Sequence, residues 1–142
     1  MFLSFLFEPT FGIVNAERDT VTALGSWDTR VTVTVPDDIG KVTAEIALSH
    51  SNVGDVVYVA GDTVSFARVA DILDRTVGIP MNRQLKTVAE LKAELDADPD
   101  NGMAKYRVVF AEGVGLAWNK ANSFNSMNGI DTQTVEGFAR AD

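Results

Sequence analysis

Few side chains in this sequence could move a proton, hold a metal or attack a substrate, and spacing decides what each could do. His50 is the single imidazole in 142 residues. It stands between Ser49 and Ser51 with no nearby carboxylate to orient it, which predicts a solvated loop histidine rather than a base. One His and no Cys leave no zinc site of the usual nitrogen and sulfur ligands, no thiol nucleophile and no disulfide. Asp37 and Asp38 form an acidic pair, but they follow Pro36, where a helix start would set them against its positive end. Asp62 reads as a turn residue, and Asp28 with Arg30, two apart, as a local ion pair. Gly113-Val-Gly115-Leu-Ala-Trp118 opens like a dinucleotide fingerprint and ends in Trp. It also follows a helical pattern, whereas a phosphate turn joins a strand to a helix N-terminus. It is rejected as a phosphate loop.

What remains is apolar. Phe2, Phe5, Phe7 and Phe11, half of the chain's 8 phenylalanines, gather with Leu3 and Leu6 in one short segment. Such a segment packs a core, drives self-association or walls a pocket for an apolar ligand. It has no basic leader, and Glu8-Pro9 breaks it far short of the roughly 20 residues that a membrane span needs.

The elements that would position these residues centre on 56–78. Val56 to Ala60 is a short β-branched and aromatic run, predicted as a strand buried on both faces and stopped by Gly61-Asp62. Ser65 then caps a helix whose stripe is Phe66, Val69, Ala70, Leu73 and Val77, closed by Gly78 and Pro80. Upstream, 14–24 reads as a loop or hairpin, and Arg30 to Val35 as a strand with Val31, Val33 and Val35 on one face and Thr32 and Thr34 on the other. Pro36 starts a helix striped by Ile39, Val42, Thr43 and Ile46. Strand, helix, strand then predicts a right-handed parallel βαβ unit. Residues 82–86 suggest a third strand, and Thr87 with Glu90 a capping box before Val88, Leu91 and Leu95. Met103, Tyr106, Arg107 and Phe110 mark a further helix stopped by Gly113. Asn119 to Asn128 reads as a long loop, and Asp131 or Thr132 as the cap of a last helix with Val135 and Phe138 inward.

Composition narrows the partners. One domain of ordinary apolar content can bury a moderate core. The net charge of −8, with a pI near 4.5, argues against nucleic acid and against anionic membrane surfaces. The absence of cysteine fits a reducing, cytoplasmic setting.

VVYVAGDTVSFARVADIL resembles the C-terminal, substrate-side half of NmrA-like proteins, the isoflavone-reductase-like branch of the short-chain dehydrogenase superfamily. FLFEPTFGIV, ALGSWDTRVTV, PDDIGKVTAEI and DPDNGMAKYRVVFAEG extend the resemblance along nearly the whole chain. The resemblance implies an α/β fold, a small parallel βαβ sheet covered by several helices. Residues 1–142 would form a single substrate-binding-like domain, without the N-terminal Rossmann half through which the family binds NADP or NAD. No cofactor and no metal is therefore expected here. The resemblance also sets Trp27 and Trp118 near a pocket, giving Phe2, Phe5, Phe7, Phe11, Trp27 and Trp118 as candidate substrate-binding residues. The family's catalytic lysine belongs to the missing half, and no Tyr-x-x-x-Lys stands in its place: Asp62 follows four after Tyr58, and Phe110 four after Tyr106. No catalytic residue carries over. Three readings stay open: a binding protein for an apolar small molecule; a cofactor-independent isomerase, cyclase or dehydratase; and a regulatory or accessory member. A homodimer is expected, because the cover that the N-terminal half would give this domain is absent.

Overall fold

In the computed structural model, residues 1–49 and 56–141 are described. Two small sheets carry the chain. β1 (Thr20–Leu24) pairs in parallel with β4 (Asn82–Lys86), Thr20 opposite Asn82 and Leu24 opposite Lys86. β2 (Arg30–Val33) pairs antiparallel with β3 (Asp62–Ser65), Val31 opposite Val64 and Thr32 opposite Thr63. Helices α1 (Pro36–Leu48), α2 (Phe66–Val77), α3 (Val88–Ala97), α4 (Gly102–Glu112), α5 (Phe124–Met127) and α6 (Val135–Ala141), with 3-10 turns at Leu3–Leu6 and Lys120–Asn122, complete the described elements. The class is α/β with a small parallel sheet and several helices, as expected.

The helix ends follow the local chemistry of their sequence. Ser65 Oγ accepts from the Arg68 amide, and Gly78 closes α2 in the left-handed region at φ 80°. Thr87 and Glu90 exchange both bonds of a capping box. Asn101 caps α4, and Gly113 ends it at φ 66°. Pro36 opens α1, with Asp37 and Asp38 in its first turn. Asp74 near the end of α2 accepts from the Met81 amide at 2.6 Å, while Arg83 of β4 reaches both Asp71 and Asp74. One carboxylate pair thus ties α2 to the parallel sheet.

The strands depart from the expected scheme. Residues 56–60 form no strand, and Val56 and Tyr58 are mostly exposed. Their backbone is held from outside: Asn125 bonds both the N–H and the C=O of Ala60, and the Phe124 amide donates to Tyr58 O. The strand instead starts past Gly61, where Thr63 and Val64 meet β2. The partner of β2 is therefore antiparallel, and the 30–60 βαβ unit does not form; the parallel pair is β1 with β4. Residues 14–24, expected as a loop or hairpin, do turn back through one antiparallel bridge, Val14 with Val21, but 20–24 is also a buried strand, because Val21, Ala23 and Leu24 all reach the core. Residues 119–128 contain a 3-10 turn (Lys120–Asn122) and α5 rather than one long loop. Thr134, not Asp131 or Thr132, caps α6 by accepting from the Gly137 amide. Val77 and Thr43 are exposed, so each helical stripe is shorter than predicted. Asp62 does more than serve a turn: its carboxylate accepts from the amide of Val135 at the start of α6.

The core lies between the sheets and helices α2, α3, α4 and α6. Leu3, Leu6, Phe11, Phe66 and Leu73 are fully buried in it. Each such side chain contributes about 1.5–3 kcal/mol through removal from water. Gly25, at φ 81°, lets the end of β1 touch α4: a Cβ there would lie 2.1 Å from Ala111 O.

Candidate functional site

β2 is buried on both faces. Val31 and Val33 enter the core, whereas Thr32 and Thr34 look into a cavity of about 540 Å³. Backbone pairing to the free edge of β2 builds one wall: the Thr34 amide donates to Met1 O, and the Leu3 amide donates to Thr34 O, which places Phe2 and Phe5 on the rim. Met103, Tyr106 and Phe110 of α4 make the opposite wall, at the helical spacing expected for one face. Phe5 is itself fixed by stacking on buried Phe11 at 5.6 Å, and Phe110 meets Phe11 edge-on at 5.5 Å.

Trp118 closes the cavity, held by hydroxyls rather than by a secondary-structure element. Its amide donates to Thr32 Oγ1 at 3.1 Å, its carbonyl accepts from Thr63 Oγ1 at 2.9 Å, and the two hydroxyls pair at 2.8 Å. The adjoining Leu116 carbonyl accepts from the Thr32 amide. Val59 completes the cavity from the segment that Asn125 anchors, and Tyr58 lies 5.2 Å from the Trp118 ring.

The walls are almost wholly apolar. Thr34 Oγ1 accepts from the Gly61 amide, which leaves its own hydrogen to donate. Trp118 Nε1–H is buried without a partner among the described residues. Tyr106 is the only titratable side chain on the lining. Met1 also lines it; its amine donates to Thr32 O at 3.1 Å, and burial pushes its pKa below the ordinary value. Among the described residues no carboxylate, imidazole, lysine or arginine faces the cavity. Such a site can shape-match and orient an apolar molecule and offer it one or two neutral donors.

Of the six candidate aromatics, Phe2, Phe5 and Trp118 line the cavity. Phe11 is buried behind Phe5. Phe7 packs on Phe138 at 5.2 Å with the Arg18 guanidinium over its ring, and Trp27 lies against the core beneath Arg83. Sequence reasoning missed Thr32, Thr34, Val59 and the α4 face; the Thr alternation was the available signal. Asp38 accepts from the Gln133 amide at 2.6 Å, a structural tie. Asp28 and Arg30 form no pair. His50 lies outside the described residues. No group of three metal-ligating side chains occurs among the described residues, and no helix there is long and apolar enough to cross a membrane.

No protein-family model matches the sequence. The chain is 41% identical over 133 residues to an NmrA-like family domain-containing oxidoreductase of Gibberella moniliformis, covering 92% of this chain and 43% of that relative. Among solved structures it is similar to isoflavone reductase, with TM-score 0.76 and 12% identity over 99% of this chain and 49% of that one. An NADPH-dependent quinone oxidoreductase of Escherichia coli gives TM-score 0.71 and 17% identity, over 99% and 52%. The chain therefore spans about half the length, or less, of the proteins it matches.

Proposed function

The chain belongs to the NmrA-like family, and on that premise we propose that it binds a flat apolar small molecule in the cavity between β2, α4 and Trp118. The observation that carries this reading is a cavity of about 540 Å³ whose lining includes Phe2, Phe5, Tyr106, Phe110 and Trp118 and no charged side chain among the described residues. Aromatic walls with a few neutral donors suit a ring system bearing a carbonyl or hydroxyl. An isomerase, cyclase or dehydratase would need a group to take and return a proton. Tyr106, 58% exposed, is the sole titratable side chain placed for it, so binding is the better reading.

By the same reading the 142-residue chain alone does not hold NADP or NAD and is not a self-sufficient reductase. A pyrophosphate seat needs a glycine turn from strand to helix, and among the described residues the three strand-to-helix junctions carry Val35, Ser65 and Thr87 at the helix cap.

The test is a thermal-shift and tryptophan-fluorescence panel of flat aromatic ketones, quinones and phenols. Binding should stabilise the chain by about 2.7 kcal/mol at a hundredfold excess over Kd. Val59→Trp, which fills the cavity, should abolish the shift while the variant stays folded. A panel without any shift, or a shift that Val59→Trp leaves intact, rejects the site.

A further inference from the structure

Trp118 borders two cavities of opposite chemistry. Behind the apolar one lies a second, of about 360 Å³, whose wall includes Arg30, Lys120, Thr63, Asn119 and Asp62. Arg30 is the first residue of β2, two positions before Thr32 and therefore on the same side of the strand. Its backbone is paired opposite Ser65, but its guanidinium has no ion-pair or hydrogen-bond partner among the described residues. Lys120 donates to Gly61 O, which engages one of its three N–H groups and no carboxylate. Asp62 is the single acid on this wall, and both its oxygens are turned to backbone amides, of Thr63 at 2.9 Å and Val135 at 3.1 Å. Asn119 spends its carbonyl on the Ala121 amide, leaving its NH2 as a donor. In a chain of net charge −8, two cations facing one occupied carboxylate make a locally positive corner.

We propose that this second cavity is an anion subsite, and that the ligand of the apolar cavity carries a carboxylate which Arg30 and Lys120 bind while its ring system rests against Trp118. The proposal rests on the reading of the apolar cavity as a ligand site and names the class of ligand: a flat aromatic acid. Guanidinium geometry matches a carboxylate with two parallel bonds, and the adjoining ammonium adds charge. The Thr32–Thr63 hydroxyl pair sets the boundary between the two cavities, because Thr32 lines the first and Thr63 the second.

The experiment titrates the full chain with 2-naphthoate and with its neutral counterpart, 2-naphthalenemethanol, following backbone amide NMR shifts. The acid should bind at least about tenfold more tightly than the alcohol, with a preference that shrinks as salt rises. Arg30→Gln should bring the two affinities within about twofold by weakening the acid alone, and Arg30→Lys should restore part of the gap. Arg30 is exposed at a strand end, so these variants keep the fold. Equal affinities for acid and alcohol in the unaltered chain overturn the anion subsite and leave the apolar cavity standing. Acid binding with shifts confined to Thr63 and residues 117–120, and no alcohol binding, overturns the cavity and keeps the subsite. Absence of binding by both probes overturns both.

Discussion

Replacing Asn125 by alanine tests whether a single buried side chain stands in for a missing strand. Asn125 is fully buried; its Oδ1 accepts from the Ala60 amide at 3.0 Å and its Nδ2 donates to the Ala60 carbonyl at 2.9 Å. Ala60 is fully buried as well. In Asn125→Ala its carbonyl keeps the Thr132 hydroxyl at 3.2 Å, whereas its N–H is left with nothing. A lost bond costs about 1 kcal/mol and an orphaned buried donor about 1–3 kcal/mol, so the expected loss is about 2–4 kcal/mol. That is a large part of the ~5–15 kcal/mol by which a domain is usually stable. Asn125→Asp sharpens the test. It keeps the acceptor for Ala60 N–H but sets a carboxylate oxygen against Ala60 O, and burial with that repulsion raises its folded pKa above the ordinary aspartate value. The neutral form is then favoured in the fold, so this variant is destabilised at neutral pH and recovers stability as pH falls through the raised pKa. Urea unfolding at 25 °C across pH reads both. A loss below about 0.5 kcal/mol for Asn125→Ala, or an Asn125→Asp variant as stable as the parent at pH 7, would refute the account of residues 56–60.

Three further outcomes follow from the same geometry. Gly25→Ala should lose more than about 2 kcal/mol, since the residue combines a left-handed φ with a Cβ placed 2.1 Å from Ala111 O; unchanged urea unfolding would show that α4 and β1 can part freely. The Asp74 carboxyl is held below its ordinary pKa first by the Met81 amide and then by Arg83, so its contribution is present above the unfolded value and lost as pH falls through the depressed folded one; Asp74→Asn should flatten the fall in stability below about pH 4, and an acid limb as steep as the parent's rejects the link. Self-association is expected at β4, whose outer edge pairs with no described residue and lies beside exposed Ile79 and Leu85; light scattering should give twice the 15.3 kDa chain mass, with Leu85→Lys returning the monomer, and a 15.3 kDa parent species refutes it.

The helices were legible because their punctuation is local. Ser65 reaches Arg68, Thr87 reaches Glu90, and Gly78 and Gly113 end their helices within the same few residues that define them. Two strands, at 30–33 and 82–86, were legible as well; the other two and the pairing of all four were not, because a strand is decided by its partner. Val56 to Ala60 has the composition of a buried strand, yet its hydrogen bonds go to Asn125, which follows Ala60 by 65 positions. Thr20 to Leu24 fell in a stretch that reads as a loop or hairpin; even Thr22 is nearly enclosed, because the parallel partner β4 satisfies the backbone and the core takes its neighbours. β-propensity describes a surface that fits a neighbour, and the neighbour was far away in sequence.

The site shows the same division between residue type and placement. Aromatic side chains are the obvious candidates for an apolar pocket, but they bury large areas wherever they fall, so type alone cannot separate wall from core. Phe11 and Trp27 are spent on packing and Phe7 on Phe138, so of the six candidates Phe2, Phe5 and Trp118 face the cavity, joined by Tyr106 and Phe110 of α4. Trp118 does so because Thr32 and Thr63, facing each other across β2 and β3, hold its amide and carbonyl with their hydroxyls. Thr32 and its neighbour Thr34 alternate with valines in a pattern plain in the sequence, where the polar face of a strand ordinarily means solvent. Here the threonine face turns inward, and Arg30, on the same face at the strand's start, meets the second cavity. Read along β2, the face passes from one cation to two hydroxyls and into an aromatic chamber. A ligand that satisfies the whole face is apolar at one end and anionic at the other.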